Sequence, residues 1–175
     1  MNIILKLPDN LKILFDACSV INLVNGNQFN SVLSLAGYDF FIGPAVYNEV
    51  AEVEYQKKII DDFIASGKIQ LWEEEIGINL LSRLYSKYGL GDGETESITI
   101  CIGSNLLFCC DDNKARNAGK VEFGETRVMG SLRLLKLAVS ENIIKCNDAE
   151  FSYLEMKFKG GWLPKIDHAY FCKAL

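Results

Sequence analysis

The sequence predicts an α/β protein with a mainly parallel central β-sheet. Short apolar runs that are typical of buried strands alternate with amphipathic segments that are typical of helices. The chain of 175 residues, 49% of them hydrophobic, is long enough to bury one sizeable core. Neither an internal repeat nor a low-complexity segment interrupts the alternation. The fold class therefore follows from the order of the predicted elements.

The first half of the chain begins with a strand that runs directly into an acidic residue. Residues 12–16, KILFD, have a buried-strand pattern, and the helix after them is predicted to break at Asn25-Gly26-Asn27. Gly43 and Pro44 open a later helix, because proline is tolerated in a first helical turn, and that helix either continues or breaks before Asp61. The predicted elements of this half are strand 12–16, helix 17–24, short helix 30–36, strand 39–42 and the helix from residue 44.

The second half continues the alternation and ends in a segment of different texture. Its predicted elements are strand 68–72, helix 80–88, a glycine-rich loop 89–93, helix 94–104, strand 106–110, helix 113–118, a short strand 121–123 and helix 127–140. The last 30 or so residues are aromatic, charged and interrupted by glycines. We expect residues 1–145 to form the main domain and residues 146–175 to form an appendage packed on it, with a short helix near the end.

Composition and charge exclude several classes of protein. The chain has no run of about 20 uninterrupted apolar residues, and its N-terminus lacks the pattern of a signal peptide, so a cytoplasmic location without a membrane span is expected. The formal net charge of −5 argues against broad electrostatic adhesion to nucleic acid, although cations bound to clustered carboxylates would offset it.

The 6 cysteines and the single histidine do not form a zinc-binding pattern. No pair of cysteines is spaced as CxxC, and most of them lie in apolar runs, where cysteine behaves as a small hydrophobic residue. We therefore expect reduced structural thiols rather than a disulfide framework.

Acidic residues follow two of the predicted strands at the point where each strand ends. Asp16 follows KILF, and the pair Asp111 and Asp112 follows LLFCC. Ligands of open α/β sheets bind beyond the carboxyl ends of the strands, and neighbouring strands are only about 5 Å apart. These acids are therefore expected to lie close together, although each of them could instead serve only as a helix N-cap.

Two further acidic candidates lie on predicted helices. Glu49 falls in the second turn of the helix that begins GPAVYN, and Glu94 opens the helix after the glycine-rich loop. Glu96 lies about 200° around a regular helix from Glu94, so both cannot face one site, and Glu94 is the first candidate. Taken alone, Glu49 is better interpreted as a solvated helix acid, and Glu94 gains from the helix dipole in any case.

A group of carboxylates in one place points to a divalent cation. Carboxylates held together repel one another unless a cation lies among them, and Mg²⁺ and Mn²⁺ favour oxygen ligands. One or two such ions can activate a water and stabilise the leaving oxygen of a phosphodiester. An all-oxygen set with no histidine nearby in sequence suits this chemistry better than zinc hydrolysis.

The order of these motifs resembles that of the PIN-domain family. FDACSVINLV is similar to the first motif of that family, GPAVYNEV to the second, and GDGETESITI to the GEAEAI-type third motif of one branch. LLFCCDDNKARNAG resembles the fourth motif, and VMGSLRLLKLAVSENII resembles the helix that follows in that branch. The resemblance covers roughly residues 12–145.

The resemblance implies a PIN-like three-layer α/β/α sandwich and an endoribonuclease that depends on Mg²⁺ or Mn²⁺, similar to VapC-type toxins of toxin–antitoxin pairs. Its partners would be an RNA substrate, an antitoxin protein and a second copy of the chain in a homodimer. The catalytic and metal-binding acids carried over from the motifs are Asp16, Glu49, Glu94 and one of Asp111 and Asp112, with Glu96 as a further metal candidate.

The chain departs from the family at the hydroxyl that usually follows two residues after the first aspartate. Cys18 occupies that position, and the neighbouring Ser19 is the candidate replacement, although its direction would differ. Basic residues near the site are few. Lys114, Arg116 and Lys120 are candidates for phosphate contacts or, equally, solvated helix charges.

Two other functions stay open. A phosphoryl-transfer enzyme of the haloacid-dehalogenase type also begins with a strand-terminal aspartate, but it needs Asp-x-Asp, and residue 18 is a cysteine. A non-catalytic PIN-like interaction module would keep the acids as caps and bind a protein partner through the aromatic tail, which holds Trp162, Tyr170 and Phe171.

Overall fold

A five-stranded β-sheet forms the centre of the protein, and the computed structural model describes residues 10–173 around it. Its strands, numbered in chain order, are β1 Leu11–Phe15, β2 Tyr38–Ile42, β3 Gln70–Leu71, β4 Leu107–Cys109 and β5 Val128–Met129. They are arranged in the order β3-β2-β1-β4-β5, and each neighbouring pair is parallel. The predicted α/β class with a mainly parallel sheet is confirmed, and β1 lies at the middle of the sheet.

Helices cover both faces of this sheet. In the described part of the chain they are α1 Ala17–Asn25, α2 Phe29–Val32, α3 Pro44–Val50, α4 Glu54–Ala65, α5 Ile78–Tyr88, α6 Asp92–Ser104, α7 Asn113–Phe123, α8 Ser131–Ser140, α9 Cys146–Phe158 and α10 Ala169–Cys172. Ile13 and Phe15 of β1 belong to a buried cluster with residues of α1, α8 and α9, whereas Leu14 belongs to a second cluster with residues of α5, α6 and α7. Since successive side chains of a strand point to opposite faces, the sheet is the middle layer of an α/β/α sandwich.

The structure corrects two predicted elements near β5. Residues 121–123, predicted as a strand, are the last turn of α7, and Val121 is 70% exposed. The fifth strand is instead Val128–Met129, which lies within the residues predicted as helix 127–140, and α8 begins only at Ser131. Residues 121–123, Val-Glu-Phe, are too few for their periodicity to distinguish a strand from a helix.

The helix predicted from Pro44 is two helices. α3 ends at Val50 and α4 begins at Glu54, with a turn over residues 51–53 between them. Glu49 therefore lies near the end of a short helix of 7 residues.

The C-terminal part contains a long helix that the sequence analysis does not predict. α9 spans 13 residues, and Ala149, Tyr153 and Met156 on it are buried in the same cluster as the central strand. Other apolar residues of this helix, such as Phe158, are exposed, so no single apolar stripe marks it in the sequence. The division of the chain at residue 145 stays a prediction.

A disulfide joins Cys146 at the start of α9 to Cys172 at the end of α10, where the Cα atoms are 5.4 Å apart. This pair contradicts the expectation of reduced thiols, since two cysteines 26 residues apart meet only through the fold and carry no local signal. The other 4 cysteines, all within residues 10–173, are free thiols.

The structure tests the expectation that the chain has no membrane-spanning helix. Over residues 10–173, no helix is long and apolar enough to cross a membrane. Residues 1–9, on which the expected lack of a signal peptide rests, lie outside the described residues. The cytoplasmic location therefore stays a prediction.

Glu122, near the end of α7, connects α7 to α5. Its carboxylate accepts hydrogen bonds from Arg83 Nη2 at 2.9 Å, Lys87 Nζ at 2.8 Å and the Tyr88 hydroxyl at 2.7 Å. The side chain of Glu122 is only 9% exposed, whereas those of Arg83 and Lys87 are about half exposed. These hydrogen bonds, with Arg83 the foremost donor, lower the pKa of Glu122 to about 2.

Replacing this acid in Glu122→Gln should destabilise the protein at neutral pH by about 1–2 kcal/mol, because charge-assisted hydrogen bonds are weakened and the half-exposed cations limit the loss. A carboxyl with a depressed pKa stabilises the fold above its ordinary pKa of 4.5, and that contribution is lost as the pH falls toward about 2. Thermal melts of wild type and variant should therefore converge across this range of pH.

Glu125→Gln is the matched control for this experiment. Glu125 pairs with Lys120 at 3.2 Å, but its side chain is 82% exposed, so the melting temperature should change little. An equal loss of stability in both variants would contradict the role given to Glu122.

Candidate metal centre

Asp16 lies where the central strand β1 ends and α1 begins. Its backbone N–H continues the sheet by donating to the Cys109 carbonyl of β4 at 2.9 Å. Asp16 occupies the N-cap position of α1, but its side chain makes no capping hydrogen bond. The residue is 2% exposed. Helix capping therefore does not account for a carboxylate at this position.

Two thiols hold one oxygen of this carboxylate. Cys18 Sγ donates to Asp16 Oδ2 at 2.9 Å, and Cys110 Sγ donates to the same oxygen at 3.3 Å. The two sulfur atoms are 3.6 Å apart, and these three ligand atoms are close enough to share one metal ion. The other oxygen, Asp16 Oδ1, is buried and has no hydrogen-bond partner among the described residues. Burial of a carboxylate oxygen without a hydrogen-bond partner lowers the stability of the folded state, and a cation beside that oxygen would offset the loss.

Burial sets the ionisation of Asp16. It raises the pKa of this carboxyl above the usual value of 3.8, and the hydrogen bonds from Cys18 and Cys110 offset only part of the rise. Removal of a charge from water disfavours the ionised form, whereas a nearby cation favours it. The ionised Asp16 and a bound cation would therefore stabilise each other.

Glu49 and Glu94 approach Asp16 from two helices. Glu49 Oε2 lies 3.1 Å from the place that a Cβ on Gly93 would occupy, so a glycine at this position of α6 leaves room for the carboxylate. Burial raises the pKa of Glu49, and the charges of Asp16 and Glu94 raise it further. Burial also raises the pKa of Glu94, and the charges of Asp16 and Asp112 add to that rise. These four carboxylates thus share one electrostatic field, and a cation among them would reduce their repulsion.

Asp111 and Asp112 use their oxygens differently. Asp111 accepts two hydrogen bonds, from the Ser131 N–H to Oδ1 at 2.9 Å and from Asn22 Nδ2 to Oδ2 at 2.8 Å. It thereby connects the end of β4 to α1 and α8. Asp112 caps α7, because its Oδ1 accepts from the Ala115 N–H at 2.8 Å. Only Asp112 retains an oxygen with no protein donor among the described residues.

A cleft of about 510 Å³ opens at this edge of the sheet. Three of the predicted acids line it, namely Glu49, Asp111 and Asp112, and Asp16 contacts its wall through Cys18. The lining consists of Cys18, Ile21, Asn22, Asn25, Glu49, Asp111, Asp112, Asn113, Lys114, Lys159, Gly160, Gly161 and Trp162. Glu49, Asp111 and Asp112 are therefore accessible to a molecule from solvent, whereas Asp16 and Glu94 do not line this cleft.

The structure does not bring Glu96 to this group. Glu96 Oε1 accepts a hydrogen bond from the Ala45 N–H at 2.8 Å, in the first turn of α3. Burial raises the pKa of Glu96, and the acid that adds to the rise is Asp92 rather than Asp16. The angle of about 200° between Glu94 and Glu96 on a helix thus separates the two side chains here as well.

The predicted substrate contacts are placed unequally. Ser19 is fully buried and lines no part of the cleft, so its hydroxyl does not replace the usual one at the site. Lys114 lines the cleft, and Arg116 lines a neighbouring cleft. Lys120 lines neither of these two clefts and pairs with Glu125 instead.

Sequence reasoning misses five polar residues of the two clefts, namely Asn22, Asn25, Asn113, Arg133 and Lys159. Asn22 lies four residues after Cys18, so helical spacing places both on one face of α1, and an amide in this apolar helix is a usable signal. Arg133 and Lys159 carry no such signal, because α8 and the end of α9 lie far along the chain from the acidic motifs.

Comparison with known proteins agrees with this architecture. The sequence profile of DUF3368, described as a PIN domain, matches residues 12–170. The crystal structure of PAE2754 from Pyrobaculum aerophilum is similar to this chain with a TM-score of 0.52 at 13% sequence identity, over 74% of this chain and 98% of that one. At this identity the likeness concerns the fold alone. No curated protein matches the chain at a significant level.

Asp16→Asn should leave the metal-free protein as stable as the wild type or more stable, because an amide carries no buried charge. The raised pKa of Asp16 determines how the stability of the wild type changes with pH. Below 3.8 the carboxyl is neutral whether the chain is folded or unfolded, so both proteins should melt alike. As the pH rises through the raised pKa, the wild type should lose stability relative to the variant, as thermal melts in chelator can show.

Asp111→Asn is the matched control, because both oxygens of Asp111 accept hydrogen bonds. An amide has one acceptor too few there, and we expect a loss of about 1–3 kcal/mol. A comparable loss in Asp16→Asn would show that Asp16 has the same structural role as Asp111 and would overturn the assignment of Asp16 to a cation.

Proposed function

Because the chain belongs to the PIN-domain family, we propose that it is a divalent-metal-dependent endoribonuclease that hydrolyses phosphodiester bonds of RNA. PIN domains are in general metal-dependent nucleases. The observation that carries the proposal for this chain is the buried Asp16 Oδ1, which has no donor among residues 10–173 and lies in the field of Glu49 and Glu94. The family favours a nuclease over the phosphatase alternative, which would need an aspartate in place of Cys18.

Four carboxylates would hold the ion, namely those of Asp16, Glu49, Glu94 and Asp112. In three of them, one carboxylate oxygen accepts a hydrogen bond from the protein and the other oxygen is available to the ion. Asp16 Oδ2 accepts from thiols, Glu94 Oε2 accepts from the Gly91 N–H at 3.0 Å, and Asp112 Oδ1 caps α7. This division fixes each carboxylate in direction while leaving a hard oxygen ligand of the kind that Mg²⁺ and Mn²⁺ prefer. When bound, such an ion would activate a water for attack and stabilise the oxygen that leaves.

The two thiols bear on the choice of ion. Cys18 Sγ and Cys110 Sγ lie within hydrogen-bond distance of Asp16, and Cys18 occupies the position at which the family usually has a hydroxyl. Sulfur is a soft ligand that Mg²⁺ avoids, and Mn²⁺ stands above Mg²⁺ in its tolerance of softer donors. We therefore propose Mn²⁺ rather than Mg²⁺ as the preferred cofactor.

The substrate and the partners follow from the family likeness. RNA is the proposed substrate, and Lys114 and Arg116 are the proposed phosphate contacts, since both line clefts that include Asp111. A toxin role with an antitoxin partner, and a homodimer, are proposals of the same kind.

Light scattering should give twice the 19.6 kDa mass of the chain, and a mass of one chain would contradict the homodimer.

Glu94→Gln should abolish Mn²⁺-dependent cleavage of single-stranded RNA, with a loss of more than about 100-fold, because a direct ligand is removed. Asp16→Asn should do the same. The measurement is the initial rate on labelled RNA with and without chelator.

Glu96→Gln is the matched control on the same helix. Its amide oxygen can still accept from the Ala45 N–H, so activity should stay within about twofold of the wild type. If Glu96→Gln lost as much activity as Glu94→Gln, the proposed ligand set would be wrong. If the wild type cleaved no RNA with either ion, the proposed function itself would fail.

Cys18→Ser should shift the preference of the site toward Mg²⁺, because a hydroxyl oxygen replaces a soft sulfur. The rise in melting temperature with added Mn²⁺ or Mg²⁺ gives an apparent dissociation constant for each ion, since binding to the folded state raises its stability. The advantage of Mn²⁺ over Mg²⁺ should shrink in the variant. Cys101→Ser, which alters a buried thiol of α6 outside the group, should leave that ratio unchanged. An unchanged ratio in Cys18→Ser would show that this sulfur does not influence the ion.

A further inference from the structure

Trp162 is a large aromatic side chain held in solvent at the edge of the candidate active site. It is 86% exposed, whereas the other tryptophan, Trp72, is 7% exposed and packs in the core. Tryptophan is enriched at binding surfaces, so an exposed indole that lines a cleft beside the candidate site is a candidate contact for another molecule.

The backbone on both sides of Trp162 is fixed. The Gly161 N–H donates to the Met156 carbonyl at 2.8 Å, and Lys159 Nζ donates to the Asn25 carbonyl of α1 at 3.0 Å. Leu163, the next residue, is buried. The indole therefore belongs to a segment that is held in place by these hydrogen bonds and by the burial of Leu163.

Gly161 shows how closely this segment lies against the wall of the site. A Cβ at Gly161 would come within 2.5 Å of Asn22 Oδ1 and 2.8 Å of the Met156 carbonyl oxygen. Asn22 is the residue that donates to Asp111. The segment that carries Trp162 is thus packed on the same side chains that shape the acidic cleft.

Trp162 forms part of two adjoining clefts. The first is the acidic cleft of about 510 Å³, where Lys114 and Lys159 are the cations. The second, of about 330 Å³, contains Arg116 and Arg133. Asp111 and Asn113 line both clefts, so the indole lies at the place where they meet.

We infer that Trp162 is a stacking platform for a base of single-stranded RNA beside the scissile phosphate, an inference that rests on the proposed nuclease function. Single-stranded nucleic acids are bound by aromatic side chains that stack on bases, with cations along the backbone path. Trp162 offers the aromatic face, and the lysine and arginine pairs of the two clefts flank it. Bases in a duplex are already stacked on one another, so a duplex cannot use this platform without unpairing.

A protein partner is the competing occupant of this aromatic side chain. Charge favours RNA, because four cationic side chains line the two clefts beside the indole, where they can contact the phosphates of a nucleic-acid backbone. Phe158, the last residue of α9, is equally exposed at 87% but lines neither cleft. It provides a control of the same chemical class.

The test measures binding of a short fluorescein-labelled single-stranded RNA in the Asp16→Asn background, in which the RNA stays intact. Trp162→Ala should weaken binding by about tenfold or more, since stacking on an aromatic side chain contributes that much per base. Trp162→Phe should keep most of the affinity, and Phe158→Ala should change it less than twofold. Equal melting temperatures of the variants would show that the fold is retained, as expected for an exposed side chain.

Indole fluorescence provides an independent readout. Single-stranded RNA should quench the emission of the Asp16→Asn protein, and the quenching should disappear in Trp162→Phe, where the buried Trp72 is the remaining fluorophore. The same sequence as a duplex should quench much less. Unchanged affinity in Trp162→Ala, or equal quenching by duplex RNA, would overturn the inference.

The outcomes also separate this inference from the proposed function. If the RNA binds and quenches Trp162 but the wild type never cleaves it, the nuclease proposal fails and the stacking platform stands. If the wild type cleaves the RNA and Trp162→Ala cleaves it with the same KM, the nuclease proposal stands and the platform is rejected.

Discussion

The burial of one carboxylate at the end of the central strand governs the arrangement around it. Asp16 is 2% exposed, and in the part of the chain that the structure describes only one of its two oxygens has donors. Desolvation disfavours the charge, and the neighbouring carboxylates of Glu49 and Glu94 add repulsion. A cation would turn the same group from a source of repulsion into a set of ligands.

The topology of the sheet explains why these acids meet. β1 lies between β2 and β4, and all three strands are parallel, so their carboxyl ends share one edge. α1, α3 and α7 begin at that edge, directly after these strands. Asp16 and Asp112 occupy the N-cap positions of α1 and α7, where the positive end of the helix dipole moderates the repulsion between acids. The order of strands thus converts acids that are distant in sequence into neighbours.

The sequence predicts the parts of this site that depend on local rules. An acid after a buried strand marks Asp16 and the pair Asp111 and Asp112 without choosing within the pair, and the angle between residues two apart on a helix separates Glu94 from Glu96. The contact between Cys18 and Cys110 is different in kind, because it joins residues 92 apart and needs the pairing of β1 with β4. The same holds for the Cys146–Cys172 disulfide and for Lys159, since both depend on where α9 packs. The strand predicted at residues 121–123 is wrong and β5 is missed because segments of two or three residues are too short to show a period.

The charges of the chain are distributed unevenly around the candidate site. A net charge of −5 would repel RNA if it acted uniformly over the surface. The structure instead concentrates part of that charge in one group that a cation would neutralise, and it places Lys114, Lys159, Arg116 and Arg133 in the clefts beside that group. Stacking on Trp162 involves no net charge, so it would hold a base without further attraction to the backbone. Binding to this chain would then depend on the local ion and the aromatic face rather than on a basic surface, which is how an acidic protein can act on an acidic polymer.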